Sequence, residues 1–397
     1  MSKRKIGIVH LITTLEVGGT EKMLMKLLSF MDSEKFANEV VSLRDIGPVG
    51  REIINMGIPV FALSMPRGRP TVCALVNLLN YLHLKRPAIL QTWLYHADFL
   101  GLITGKMARV KNICWNIRCS YMDIDKYSII SKWIIRLCSL LSRFPKVVLT
   151  NSYEAKKYHM ELGYRAKRWK IIPNGFDLDK FKPDELAKSR LISELDLEKY
   201  IFESDLKDVG PEEGRRDIIL IGFIARHDPM KDHSTFIRAG CILLKENIDV
   251  YFVFAGKGID VGKKSIVTQI PERFRSHFHL LGERDDMENI TAGLDIASSV
   301  SLGEGFSNTV GEAMACAVPC VVTDVGDSAR IVGDTGRVVP PKNPEALANA
   351  WKGLIDIGQE GRRSLGVSAR KRIKEHFEIS KVVKQYEKFY MSLLVNG

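Results

Sequence analysis

The sequence predicts an α/β chain built from two doubly wound parallel sheets. Three observations carry this: short apolar runs alternate with helix-period segments, the alternation occurs twice, and a charged stretch separates the two series. Such alternation builds βαβ units, whose strands are buried on both faces and therefore read as continuous apolar runs. At 397 residues the chain is also too long for one ordinary core, so two domains are expected.

In the first series the apolar runs predict strands over 6–10, 40–43, 60–63, 89–92, 113–116 and 147–150, with helices between them. A strand and turn follow in Ile171-Ile-Pro-Asn-Gly175. The stretch 183–216 is mostly charged and carries Gly210, Pro211 and Gly214, which reads as a linker or insertion with some helix. The second series predicts strands over 218–224, 250–255, 279–281, 296–299, 320–323 and 337–339. After Asn343 the pattern is helical to the end, and residues 362–388 hold nine basic and three acidic side chains. The expected division is 1–182 as a first domain, 183–216 as linker, 217–361 as a second domain and 362–397 as closing helices. Doubly wound sheets bind ligands outside the carboxyl ends of their strands, so two in tandem imply a cleft between those ends.

The net charge of +11 is unevenly distributed. Residues 1–172 hold 27 Lys and Arg against 12 Asp and Glu, leaving the remainder slightly acidic. A basic first half suits an anionic bilayer or a phosphorylated small molecule; without a nucleic-acid-binding signature, no nucleic acid is expected as partner. The seven cysteines include one close pair, Cys316 and Cys320, flanking an apolar Ala-Val-Pro. That context predicts buried thiols rather than a metal clamp, and a reducing, cytoplasmic setting. The basic N-terminus runs into only four apolar residues before His10, which predicts a first strand rather than a signal peptide, and no apolar stretch is long enough to span a membrane.

The most informative segment is Ser301-Leu-Gly-Glu304-Gly-Phe306-Ser-Asn308-Thr-Val-Gly-Glu312. An apolar strand leads into a glycine loop with Gly303 and Gly305, Asn308 is expected as N-cap, and Val310, Ala313, Met314 and Ala317 have helical spacing. A helix N-terminus after a glycine loop offers backbone N–H groups to an anion, while Glu304 and Glu312 suit sugar hydroxyls. In the same half, Arg226 follows a strand and Lys231 precedes a helix, a fork and a point charge suited to a diphosphate.

Jointly, Gly18-Gly19-Thr-Glu21, Ile172-Pro-Asn-Gly-Phe-Asp177, Arg226 with Lys231, Glu304 with Glu312, and Gly311-Glu-Ala-Met-Ala315 followed by Pro319 resemble glycosyltransferase family 4. These pieces lie in family order over nearly the whole chain. The resemblance implies a GT-B fold of two Rossmann-like domains, a nucleoside diphosphate sugar as donor (UDP by family frequency), transfer with retention, and no metal or other cofactor. It implies that Glu312 holds the donor ribose, that Glu304 contacts the transferred hexose, and that Arg226 and Lys231 bind the diphosphate. Gly305 belongs to the same donor loop, and the amides of Phe306, Ser307 and Asn308 add to the anion site. His96 is the first-domain candidate for facing the donor sugar, with His10 as its competitor. Gly18 and Gly19 are candidates for close approach to phosphate or acceptor, and Arg118 for an anionic acceptor, unless Arg118 pairs with Asp123 or Asp125.

The D-x-D triplets Asp123-Ile-Asp125 and Asp177-Leu-Asp179 read as turn residues rather than metal ligands. The segment 129–141, with Ile130, Trp133, Ile134, Leu137 and Leu141 in helical register, reads as a helix packed on the first sheet, with a basic interfacial helix as the other reading. Glycan or lipid-linked acceptors in cell-surface polysaccharide or glycolipid synthesis, and peripheral contact with the inner membrane face through the basic half, complete the expectation. Ala317 stands where the family commonly has glycine, and the charged insertion is longer than is usual. Two rival readings are a nucleotide-sugar epimerase on the same fold and a catalytically silent nucleotide-sugar-binding subunit.

Overall fold

A computed structural model of the chain describes residues 5–66, 71–119, 128–201, 218–260, 262 and 264–395. The chain forms two compact units, Met1–Gly175 with Ile379–Gly397, and Phe176–Glu378.

The first unit contains strands β1 (Ile6–Ile12), β2 (Phe36–Ser42), β3 (Val60–Ala62), β4 (Ile89–Trp93), β5 (Asn112–Ile117), β6 (Val147–Thr150) and β7 (Trp169–Ile171). Between them run helices α1 (Gly19–Phe30), α2 (Gly47–Asn55), α3 (Val72–Lys85), α4 (Tyr95–Met107), α5 (Ile129–Leu141) and α6 (Tyr153–Glu161). All strands pair in parallel, in the order β3-β2-β1-β4-β5-β6-β7. Every residue of β4, β5 and β6 is buried, which is why these strands appear in the sequence as unbroken runs. The winding reverses between β1 and β4, the position at which a doubly wound sheet opens a crevice.

The second unit contains β8 (Ile219–Ile224), β9 (Val250–Ala255), β10 (Phe278–Leu280), β11 (Ile296–Ser299), β12 (Cys320–Thr323) and β13 (Gly336–Val339). Its helices are α7 (Ala187–Glu194), α8 (Glu198–Ile201), α9 (His233–Lys245), α10 (Lys264–Val267), α11 (Met287–Ala292), α12 (Asn308–Ala315), α13 (Ser328–Val332), α14 (Pro344–Asp356) and α15 (Gly358–His376). The parallel order β10-β9-β8-β11-β12-β13 repeats the first sheet's logic, with the reversal between β8 and β11.

The units divide the chain differently from the sequence reading. The first ends at Gly175 rather than at 182, and the stretch expected as linker is in its described part a pair of helices of the second unit. Leu191, Ile192 and Leu197 are buried in the core with Leu220, Ile290 and Leu294, and Lys188 reaches the Asp295 carboxylate at 2.9 Å. Charged residues around these few apolar positions mask the helix in the composition. The closing helices also separate: α15 belongs to the second unit, whereas α16 (Ile379–Val395) belongs to the first. Ile379, Val382, Val383, Tyr386, Tyr390 and Leu393 recur at helical spacing and are buried with β1 and α1 side chains.

Candidate active site

In the second unit the candidate side chains converge on the reversal between β8 and β11. After β8, Asp228 caps the one-turn helix Pro229–Lys231, its Oδ1 accepting the Met230 amide at 2.9 Å. Its other oxygen accepts both Nε and Nη2 of Arg226, at 3.0 and 2.7 Å. Burial pushes the Asp228 carboxyl up, but the Met230 amide, the Arg226 fork and Lys231 outweigh it and hold the pKa below the ordinary value. Arg226 itself stays largely exposed. Lys231 points across to the loop after β11 and donates from Nζ to Glu304 Oε1, which also accepts the Ser301 hydroxyl at 2.9 Å. A backbone bond from Leu302 to the Met230 carbonyl, 2.8 Å, fastens the two loops. Two basic side chains and two carboxylates, Asp228 and Glu304, thus gather at the carboxyl ends of β8 and β11.

The loop carrying Glu304 and Gly305 is shaped by a close approach. Gly326 has φ +60°, and a Cβ there would lie 2.2 Å from the Glu304 carbonyl oxygen, so only glycine fits. The Asp327 amide donates to the Gly305 carbonyl at 3.1 Å. Phe306 is buried and stacks on Phe176, while Gly311 of α12 lets that same ring approach the helix backbone. The N-cap of α12 is Ser307, not Asn308, which is the first helical residue, and no side chain caps the end. The difference is one residue, and the Ser307 side chain makes no capping bond to the helix start. Glu312 lies one turn further on, half-buried.

In the first unit His96 is the second residue of α4, directly after β4. It follows Leu94, whose φ of 73° and ψ of 156° lie in a region almost confined to glycine. Such a backbone costs on the order of 1–3 kcal/mol and marks a site where the chain's direction matters. Burial lowers the His96 pKa, which favours the neutral imidazole.

His10 is a different case. It lies inside β1, fully buried, with Nε2 toward Asn38 Oδ1 at 3.1 Å and Nδ1 accepting from the Trp93 indole at 3.3 Å. Burial pushes its pKa down to about 4 against the favourable Asn38 bond. With both ring nitrogens engaged, His10 is a core histidine and not a donor-facing one. The strand runs two residues past the apolar run's apparent end, which is why the sequence placed His10 at its edge.

Arg118, just past β5, is 9% exposed, and its guanidinium donates to Asn174 Oδ1 and, at 3.3 Å, to the Tyr386 hydroxyl, over the Trp93 ring. Nε has no hydrogen-bond partner, and no carboxylate pairs with Arg118 among the described residues; Asp123 and Asp125 lie outside them. Desolvation lowers its pKa, the physical signature of a buried cation lacking a counter-charge. Gly18 is the N-cap of α1, and Gly19 its first residue. The space a Gly18 Cβ would take is filled by the Glu21 carboxylate, itself buried and pushed upward in pKa by desolvation. Asp177 accepts the amides of Asp179 and Lys180, as a turn residue does.

Sequence reasoning gave no role to Asp228, Ser301, Asn174 or Tyr386. Asp228 before Pro229 carries a legible capping signal. Ser301 lies three residues from its partner Glu304, whereas Asn174 and Tyr386 meet Arg118 only through the fold.

Comparison with known proteins decides the family. A model described as "Glycosyltransferase Family 4" matches residues 17–180, and one described as "Glycosyl transferases group 1" matches 218–356. The chain belongs to glycosyltransferase family 4. Among its curated relatives is the Escherichia coli UDP-Gal:alpha-D-GlcNAc-diphosphoundecaprenol alpha-1,3-galactosyltransferase, 21% identical over all of this chain and 98% of that protein. Another is the Campylobacter jejuni N-acetylgalactosamine-N,N'-diacetylbacillosaminyl-diphospho-undecaprenol 4-alpha-N-acetylgalactosaminyltransferase, 26% identical over 89% of this chain and 90% of that one. In fold, this glycosyltransferase resembles Anabaena HepE in complex with UDP, with a TM-score of 0.80 at 20% identity over 98% of this chain and 100% of that one. Both sheets of the family 4 chain are thus Rossmann-like units of a GT-B glycosyltransferase.

Proposed function

We propose that this glycosyltransferase moves a hexose, with retention, from a UDP-sugar to a glycan or lipid-diphosphate-linked acceptor in cell-surface polysaccharide or glycolipid synthesis. The observation that carries the reading is the convergence of Arg226, Lys231, Glu304 and the α12 N-terminus at the reversal of the second sheet. The names of the E. coli and C. jejuni relatives, both of which act on diphosphoundecaprenol-linked sugars, support such an acceptor, and the UDP in HepE supports the donor.

In this reading Arg226, Lys231 and the amides of Phe306, Ser307 and Asn308 receive the diphosphate, Gly305 admits it, and Glu312 accepts the ribose hydroxyls. Glu304 exchanges its Lys231 bond for hexose hydroxyls when the donor enters. As the bond between the sugar's C1 and the β-phosphate breaks, an acceptor oxygen attacks from the same face, and its proton passes to the departing phosphate oxygen. The two cations stabilise the charge growing on UDP, the largest contribution available to a site that only positions and polarises. No metal is required, because these side chains supply the positive charge. His96 faces the transferred sugar, Gly18 and Gly19 border the acceptor, and Arg118 meets an acceptor anion. The donor belongs to the second unit and the acceptor to the first, whose basic surface meets the cytoplasmic face of a membrane.

Melting the protein with UDP, GDP, ADP, CDP and dTDP tests the donor assignment without any acceptor. A nucleotide at ~100 times its Kd adds about 2.7 kcal/mol. Selective stabilisation by UDP that disappears in Glu312→Ala is expected; equal indifference to all five nucleotides contradicts it.

A further inference from the structure

Helix α5 divides its apolar residues between two faces. Ile134, Ile135 and Cys138 are buried in the first unit's core, where α5 packs against α4. Ile130, Trp133 and Leu137, expected against the sheet, instead join Ile129 and Leu140 on an exposed stripe. Trp133 is 61% exposed, Leu140 67% and Ile129 74%. Their spacing of three to four residues confines them to one arc of the helix, and the exposed Phe144 follows the helix end. Single exposed hydrophobics are ordinary, but a row of six large ones, two of them the aromatics Trp133 and Phe144, marks a docking surface.

Charge identifies the occupant. Arg136 and Lys132 border the stripe on α5, and Arg143 follows, its guanidinium 5.3 Å from the Phe144 ring centroid. No Asp or Glu occurs between Ser128 and Tyr153, and residues 128–172 hold ten Lys and Arg against two Glu. A protein partner built for so apolar a stripe has no need of an acid-free surround, whereas an anionic lipid surface takes apolar side chains and cations together. No helix among the described residues is long and apolar enough to cross a membrane, so the contact is a surface one.

We propose that the outer face of α5, with Phe144, docks this glycosyltransferase on an anionic lipid bilayer, Trp133 and Leu140 entering the interface and Lys132, Arg136 and Arg143 meeting headgroups. This deepens the membrane-facing reading given above by naming the element that makes the contact. It is tested with vesicles that contain no acceptor, so loss of docking and loss of transfer are separate results.

The experiment is sedimentation of the whole chain with phosphatidylcholine vesicles with and without phosphatidylglycerol, in low and high salt. Binding to the anionic vesicles alone is expected, weakening about fivefold for each of Arg136→Ala and Arg143→Ala. It is lost in the double variant Trp133→Ser with Leu140→Ser, which keeps its UDP-dependent melting shift. In the wild type the tryptophan emission moves to shorter wavelength on the vesicles, and Trp133→Phe removes that shift while still binding; this readout stands even if the double variant misfolds. Absence of vesicle binding, or binding unchanged in the stripe variants, overturns the proposal. So does a concentration-dependent dimer abolished by the same variants, which assigns the face to a second copy.

Discussion

Lys231 and Glu304, 73 residues apart in the chain, form an ion pair at the carboxyl ends of β8 and β11, with the Ser301 hydroxyl on the same carboxylate oxygen. The pair is mostly buried, so each partner holds the other in place before any substrate arrives. The pair thus keeps a cation at the strand ends until a donor enters, and in the proposed mechanism that charge is in place before the bond to the β-phosphate breaks.

Replacing Lys231 by Ala should therefore affect turnover more than folding. A drop in kcat of about 10²–10³-fold is expected from loss of one preorganised charge donor. Glu304→Gln keeps an acceptor for Ser301 and should lower kcat while leaving the UDP-dependent melting shift, which reads Glu312 and the cations, nearly intact. Steady-state kinetics beside melting curves check both.

Gly326→Ala places a methyl against the Glu304 carbonyl at a left-handed backbone position. Destabilisation of at least about 1 kcal/mol is expected in urea unfolding, with a fall in activity because the displaced loop carries Glu304.

Ala317 gives the opposite case. It follows the end of α12 with φ +59°, the position a helix usually fills with glycine. Left-handed backbone costs a non-glycine residue roughly 1–2 kcal/mol, and glycine's larger unfolded-state entropy returns part of this. Ala317→Gly is expected to raise the melting temperature slightly without changing kcat.

Arg118 separates stability from function. A buried cation without a carboxylate partner destabilises the fold, so Arg118→Met is expected to leave the melting temperature unchanged or raise it. The same variant should raise KM for an anionic acceptor severalfold and leave the donor's KM alone. A lowered melting temperature with unchanged acceptor KM makes Arg118 structural.

The pH dependence of stability follows from buried groups. His10, His159 and His233 are each pushed down by burial to about 4, so the unfolded chain binds more protons between about pH 4 and 6.5 and stability rises with pH across that window. Asp98 is pushed up by burial to about 8 despite its Thr92 bond. The folded chain therefore holds the extra proton between about pH 4 and 8, and this group's contribution falls as pH rises through that window. The expected maximum lies near pH 6.5, and Asp98→Asn should flatten the decline from 6.5 to 8 in melting curves.

Much of this molecule was legible in its sequence because parallel strands buried on both faces leave short apolar runs bounded by turn residues; β6, β9, β11 and β12 lie where those runs lie. The Glu304 loop and Arg226 with Lys231 were legible because glycines and charges at strand ends have few other uses. What was not legible depends on contrast or on distance. Helix α5 is apolar on two faces, so periodicity could not say which one is buried. Leu191 and Leu197 are outnumbered by charge, which hid their helices and displaced the domain boundary. The partners of Arg118 come from Asn174 and Tyr386, 56 and 268 residues away, and no local pattern joins them.

The central claim is that the Lys231 and Glu304 crevice drives sugar transfer, and the direct measurement is product formation from a panel of UDP-hexoses with an undecaprenyl-diphosphate-linked sugar, in chelator, for the wild type and Lys231→Ala. The account predicts a glycosylated lipid carrying the donor's anomeric configuration, formed without divalent metal and reduced at least about 10²-fold in the variant. Conversion of the donor to another sugar nucleotide without acceptor, an inverted linkage, or undiminished transfer by Lys231→Ala would contradict it.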